Sequence, residues 1–393
     1  MLQLNSSILS RIDEIAPRIR GIANAIGNRP ELGNEEFFAF ETLTEALESF
    51  GFRIERHTLG LPTAFVAELD SGKPGPTVAF LAEYDALPDI GHACGHHLIC
   101  SMSVAAAAGL AAALDDFGGK IRVYGTPAEE TKGAKVLMAE AGMFRDCSFA
   151  LMAHPYYAYE KSGSSMAMDA LRFEYRGRSA HAAANPEDGI NALDAVIQLF
   201  NGINALRQQT KADARIHGVI TNGGKAPNVI PDYACADFYV RAGTRAYTNE
   251  LVEKVKRVAE GAALATGCSL TISNYEFSYD ELRTNETLSD AFTAALVALG
   301  VPEASIQRGN DHGSLDLGNV SLQCPAAHPY VQVVDEKFAL HTVEFRDAAM
   351  KDRAFQGMLL GAKALAAAAY DCASSPSKLQ AIRDEFEQQA SKK

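Results

Sequence analysis

The chain has 393 residues, 47% of them hydrophobic and 22% charged, a make-up that excludes a disordered or fibrous protein and leaves room for two cores. A formal net charge of -13, with no basic cluster beyond the closing Ser391-Lys392-Lys393, argues against nucleic acid or an anionic membrane as a partner and favours small molecules. The opening Met1-Leu2-Gln3-Leu4-Asn5 runs into Arg11, Asp13 and Glu14 without the order of an export signal, and the seven cysteines lack paired spacing. A cytoplasmic location with reduced thiols is therefore expected.

In chain order, Ser7 to Phe50 has helical apolar spacing, interrupted near Gly27-Asn28-Arg29-Pro30. Thr63–Leu69 and Thr77–Ala82 read as two strands joined in a hairpin across Ser71-Gly72-Lys73-Pro74-Gly75-Pro76. A helix from about His97 to Leu114, a strand Lys120–Gly125, a helix Gly133–Ala141 and a strand Cys147–Ala153 follow. This alternation predicts an α/β fold with a mixed sheet covered on both faces. The longest apolar stretch, Met102–Leu114, is alanine-rich and too short for a bilayer, so it reads as a helix packed closely on the sheet.

Past His154-Pro155 the texture changes. A strand at Leu171–Tyr175, a helix Gly189–Leu206, strands near Ile216 and over Ala234–Val240, a helix Asn249–Leu264 and a strand Ser269–Tyr275 form an α+β unit. From Leu288 helical patterning returns, and the tail after Pro376 reads as a charged, solvated surface helix. No internal repeat or low-complexity segment stands out. If a late residue such as His341 serves the same site as Cys94, the flanks 1–164 and 277–393 form one domain, with 165–276 inserted into it.

The densest chemical signal is Glu83-Tyr84-Asp85-Ala86-Leu87-Pro88-Asp89-Ile90-Gly91-His92-Ala93-Cys94-Gly95-His96-His97. In an extended segment His92, Cys94 and His96 would share a face, while His97 would point away and open the next helix. Thiolate and imidazole are ligands for zinc and similar ions. One such histidine would more often be a polar turn residue, but three histidines, a cysteine and nearby carboxylates favour a site. Thr126-Pro127-Ala128-Glu129-Glu130 follows the apolar strand, which sets two adjacent carboxylates at a strand's carboxyl end, where α/β sites gather. Both can face one site only if the strand has broken into a loop, as Pro127 suggests. His154 also ends an apolar strand, and His341 is a weaker candidate that depends on the others.

The ordered set Asp85-Ala86-Leu87-Pro88, His92-Ala93-Cys94-Gly95-His96, Pro127-Ala128-Glu129-Glu130, Ala153-His154-Pro155 and His341 resembles the metallopeptidase family of aminoacylase, carboxypeptidase G and aminobenzoyl-glutamate hydrolase. The amidohydrolases with a ligand cysteine are the nearest group, and the run from Glu83 to His96 is most similar to the dipeptidase-type branch. The resemblance implies a dinuclear catalytic domain with an inserted lid and dimerisation domain. Cys94 would bridge two divalent metal ions, His96 and His154 would complete one, and Glu130 and His341 the other. Zinc, manganese and cobalt are the candidates. Glu129 would be the general base acting on metal-activated water, and Asp85 would orient a ligand imidazole.

Gly177-Arg178-Ser179-Ala180-His181 matches the family's histidine segment, so His181 would stabilise the oxyanion, across a homodimer. Asn228 in Ala226-Pro227-Asn228-Val229-Ile230-Pro231, Arg241 and Ser314 match residues that meet the substrate, with Arg241 a candidate for a terminal carboxylate. His97 departs from the acidic residue that many of these amidohydrolases carry there. The roles of His92, His97 and His312 stay open. The expected function is hydrolysis of an amide bond in a small dipeptide or N-acyl amino acid. A noncatalytic small-molecule-binding protein on the same fold is the alternative. Serine hydrolysis and nucleotide-dependent chemistry are disfavoured, because neither a Gly-x-Ser-x-Gly elbow nor a glycine-rich phosphate loop is present.

Overall fold

The computed structural model describes residues 2–310 and 313–391, so His312 and Lys392-Lys393 lie outside the described residues. It divides into two compact units. The first holds residues 2–164, 282–310 and 316–391, and the second Ser165–Glu281 with Gly313–Leu315. The second unit thus ends later than the expected residue 276, for a local reason. Met168 and Tyr279 exchange backbone hydrogen bonds of 2.8 and 3.0 Å, and Arg245 binds Asp169 and Asp280 at 2.8 and 2.9 Å while its amide donates to Glu281.

The first unit is built on a six-stranded mixed sheet, ordered Arg53–Arg56, Phe65–Asp70, Lys120–Gly125, Thr77–Ala82, Phe149–Leu151 and Ala326–Ala327. The expected hairpin between the strands Phe65–Asp70 and Thr77–Ala82 does not form. Lys120–Gly125 lies between them, antiparallel to the first and parallel to the second. Thr77–Ala82 has all but its first residue buried, so it belongs inside the sheet with a partner on each side. The first strand Arg53–Arg56 is the one that pairs directly with Phe65–Glu68.

The helix His96–Leu110 is buried at every residue and packs on this sheet, against the helices Ser6–Gly27 and Asp352–Ala373. Small residues permit the close approach. A Cβ on Gly109 would come within 2.5 Å of Ile12 Cγ1, and one on Gly361 within 2.5 Å of Met102 Sδ. Continued by a short irregular turn, the helical segment His96–Phe117 is 22 residues, longer than expected and apolar enough to cross a membrane; 89% of its apolar window is buried within the protein.

A smaller sheet orders Ile306–Gln307, Tyr159–Glu160, Tyr330–Gln332 and His154–Tyr156, with Tyr330 in register with His154. His154 therefore opens a strand of a second sheet and does not close the strand Phe149–Leu151. The final helix Pro376–Ser391 is more than a solvated tail. Ile382 is buried, and the Glu385 carboxylate accepts the first amides of the helix Glu286–Ala298, from Glu286 and Thr287 at 2.6 and 3.0 Å.

The second unit is an antiparallel sheet ordered Ser269–Asn274, Ala167–Arg176, Tyr233–Ala242 and Arg215–Asn222. Its apolar face, with Phe173, Phe238 and Val240, packs on the helices Ala192–Leu206 and Arg245–Thr266. The other face carries polar pairs across the strands: Arg172 grips Asp237 through two bonds of 2.8 and 2.7 Å, and Tyr233 donates to Glu174 at 2.8 Å. Arg215–Asn222 is an edge strand, with Val219 62% and Ile220 45% exposed.

Gly109→Val is expected to lower stability by about 1–3 kcal/mol through overpacking against Ile12. Chemical denaturation would read this as an earlier midpoint with an unchanged slope, and an unmoved midpoint would show that the two helices separate freely.

Candidate active site

Glu83, Tyr84 and Asp85 leave the carboxyl edge of the strand Thr77–Ala82 buried. The chain then turns. Leu87 and Gly91 exchange backbone hydrogen bonds of 3.0 Å, and Gly95, at φ +82°, leads into the helix at His96. A Cβ at Gly95 would meet Pro155 Cγ at 2.6 Å, so only glycine suits this entry.

The predicted convergence of His92, Cys94 and His96 by strand alternation is thereby corrected, since the segment is a turn. Cys94 and His96 still meet, because one closes the turn and the next but one opens the helix. His92 joins no ligand cluster among the described residues and faces His97 instead, ring centroids 5.1 Å apart. Burial holds both imidazoles neutral, His92 well below the ordinary range and His97 down at about 4, and His97 Nε2 lies 3.3 Å from the Ala349 carbonyl. They pack the turn against its surroundings.

The remaining candidates gather. Ligand atoms of Cys94, His96 and His154 lie within 4.8 Å of one another, and so do those of Cys94, Glu130 and His341. Cys94 belongs to both groups. Its sulfur is 3.4 Å from His154 Nε2, and His341 Nε2 is 3.3 Å from Glu130 Oε1. His96 and His154 are buried, whereas the His341 side chain is half exposed. Burial and then the Glu130 carboxylate push the Cys94 thiol far up, so a thiolate there requires a cation. His96 Nε2 is buried without a hydrogen-bond partner and points among these groups. The donor set of sulfur, nitrogen and oxygen fits divalent metal ions, and these are candidate metal-binding residues.

Asp85 ties the arms together. One carboxylate oxygen lies 3.0 Å from His96 Nδ1, and the other accepts the Glu130 amide at 3.0 Å. With Nδ1 donating to Asp85, His96 Nε2 is left free to coordinate. The Glu129-Glu130 segment is a loop, as Pro127 suggested. Ala128 takes φ +60°, and the buried Glu36 carboxylate accepts its amide at 2.9 Å. Glu129 shares ligand distance with His96 and Glu130. Burial, then Glu83, Glu130 and Asp316, hold its carboxyl well above the ordinary range.

Several residues of this site went unread in the sequence. Lys135 is fully buried, with Nζ 2.7 Å from Glu83 and 2.6 Å from Asp316. Nothing in its helical segment signals that. The rings of His328 and Tyr330 lie tilted beside His154, centroids 5.5 and 5.3 Å away, and here a signal existed: Ala327-His328-Pro329-Tyr330 repeats Ala153-His154-Pro155-Tyr156.

In the second unit, His181 and Asn228 sit on facing segments. The Ala182 amide donates to the Asn228 carbonyl at 3.0 Å, and Ile230 to Ala180 at 3.0 Å. His181 Nδ1 accepts the Ala184 amide at 3.1 Å, which leaves Nε2–H exposed as a donor. Arg241 stacks on Tyr239 at 5.0 Å and approaches Gly313, next to Ser314; Arg241 Nε and Ser314 Oγ are buried without partners.

Residues 168–266 match the model of the M20 peptidase dimerisation domain. Over 96% of its length the chain is 40% identical to the Xaa-Arg dipeptidase of Mus musculus, of which it covers 90%. It is 29% identical to a p-aminobenzoyl-glutamate hydrolase polypeptide of Escherichia coli over 99% of this chain and 96% of that one. Among solved structures, a dinuclear metal-binding M20 peptidase from Bacillus subtilis aligns with a TM-score of 0.65 at 21% identity, covering 90% of this chain and 98% of that one.

Glu36 gives the site loop a measurable pH dependence. Burial raises its carboxyl from 4.5 to about 7, with Thr63 donating to it at 2.7 Å. A raised acid favours the folded state while protonated, so this contribution is present below 4.5 and is lost as pH climbs through about 7. Between about pH 5 and about pH 8 the wild type should lose about 3 kcal/mol relative to Glu36→Gln. Unfolding both proteins at the two pH values tests this, and parallel behaviour would refute the assignment.

Proposed function

Because the chain belongs to peptidase family M20, we propose that it hydrolyses the amide bond of a small dipeptide or N-acyl amino acid at a dinuclear metal centre. The observation that carries this reading is the pair of ligand groups sharing Cys94, with Glu129 beside them. Cys94, His96 and His154 would hold one divalent ion and Cys94, Glu130 and His341 the other, zinc, manganese or cobalt, supplying Lewis acidity to water and carbonyl when bound.

The chain's own residues do the rest. Glu129 accepts the proton of the attacking water, holds it in a setting that favours the protonated acid, and delivers it to the leaving amine. Asp85 keeps His96 in one tautomer and one orientation. His181, with Nδ1 engaged by backbone amides, donates Nε2–H to the developing oxyanion, a role worth about 3 kcal/mol for one well-placed donor. Arg241 receives a substrate carboxylate, with Ser314 beside it and Asn228 contributing a further polar contact.

Similarity to an Xaa-Arg dipeptidase favours dipeptides over aminobenzoyl-glutamate as substrates. The dimerisation segment and the exposed edge strand support a homodimer. The seven unpaired, buried cysteines support a cytoplasmic setting. Presence of the base together with all five ligands favours catalysis over a binding protein.

Purified protein assayed against dipeptides, N-acyl amino acids and aminobenzoyl-glutamate, before and after chelation and with single metals restored, should give chelator-sensitive turnover on one class. Silence with two metals bound would favour the binding protein. Glu129→Gln should keep its metal and lose about 100- to 10,000-fold in kcat; normal turnover would sink the base assignment. Arg241→Ala should raise KM chiefly for substrates with a free carboxylate, and an equal rise for carboxamide analogues would remove that role.

A further inference from the structure

Beside the five ligands lies a second cluster of acids. Carboxylate oxygens of Glu83, Glu129 and Asp316 stand within 4.8 Å of one another. Three carboxylates that close call for a cation, and the chain supplies one. Lys135 Nζ is 2.7 Å from Glu83 Oε1 and 2.6 Å from Asp316 Oδ1. The Lys135 amide also donates to Asp316 Oδ2 at 3.3 Å, so Asp316 holds the residue at both ends.

Lys135 and Asp316 are fully buried and Glu83 is 3% exposed. Lysine is almost never found so deep unless paired. A buried ion pair is a poor device for stability, since an apolar pair of similar volume commonly does as well or better. The cluster's place beside Glu129 supplies a reason that stability does not. Glu83 Oε2 also lies 3.6 Å from His96 Nε2, so the same network borders the ligand groups.

We infer that Lys135 is a positioning residue for Glu129: its ammonium, clamped by Asp316 and Glu83, fills the place a further cation would take among the three carboxylates and fixes Glu129 for proton exchange. The inference rests on Glu129 being the base. It also implies that the chain holds two metal ions and not three, because Lys135 already occupies Glu83 and Asp316.

The test is a cycle of Lys135→Met, Asp316→Asn and the double variant, each measured for metal content, thermal midpoint, kcat and KM, with Glu129→Gln as reference. Lys135→Met is expected to keep two metals and its KM while kcat falls about 10- to 100-fold. That variant alone could unfold, since it leaves carboxylates uncompensated. The double variant removes one charge of each sign and should recover the midpoint. If Lys135 positions Glu129, kcat stays low in the double variant despite recovered stability. Recovery of kcat together with the midpoint would reduce Lys135 to a structural ion pair and overturn the proposal. Full kcat in Lys135→Met, with Glu129→Gln inactive, would overturn it while leaving the base assignment intact. An active Glu129→Gln would remove the base assignment first, and this inference with it.

Discussion

One buried carboxylate, that of Asp85, holds the candidate site in a single arrangement. It reaches the first residue of a helix through His96 and the loop beyond the strand Lys120–Gly125 through the Glu130 amide, both at 3.0 Å. Burial pushes this carboxyl up, and His96 outweighs that to leave it below the ordinary range. The loop is gripped from its other side by Glu36, which takes the Ala128 amide. Two buried acids thus hold alternate amides of a four-residue turn, with Glu129 between them. The candidate metal-binding residues come from four separate stretches of chain, and these anchors hold two of those stretches, at His96 and Glu130, in fixed relation.

Much of this was legible in the sequence, though in uneven ways. The alternation of strands and helices gave the α/β class, and the ordered ligand motif singled out Cys94, His96, Glu130, His154 and His341. Strand alternation would put His92 with Cys94 and His96, but glycines with positive φ turn the chain where a strand would have run straight. The hairpin expectation failed for a different reason. Adjacency in sequence competes with burial, and the most apolar strand takes a central place that only a later strand can complete. Lys135 was unreadable because a lysine in a helical pattern looks solvated until a distant Asp316 arrives beside it. No local rule reports a partner 181 residues away.

The second unit divides its labour between two faces. One face of its sheet is apolar and sealed by helices. The other is set with arginine, tyrosine and carboxylate pairs whose geometry is fixed by the strand register. Arg241 follows Tyr239 on that polar face by the period of two, and the stacking of one on the other orders a long cation that would otherwise be free to wander. A long side chain ordered in advance loses little further freedom when it meets a partner.

Six non-glycine residues among those described take a positive φ, and two of them, Ala128 and His341, fall next to or on the site residues. An L-residue held there carries strain of about 1–3 kcal/mol, sustained by the surrounding packing. The fold therefore spends part of its stability on keeping the site in shape, in the manner of a spring held by its frame. Selection for heat resistance alone would act against these two turns as readily as against the other four, glycine being the easy replacement at each. A more rugged descendant of this protein that had lost its ligand geometry would be the natural product of such a search.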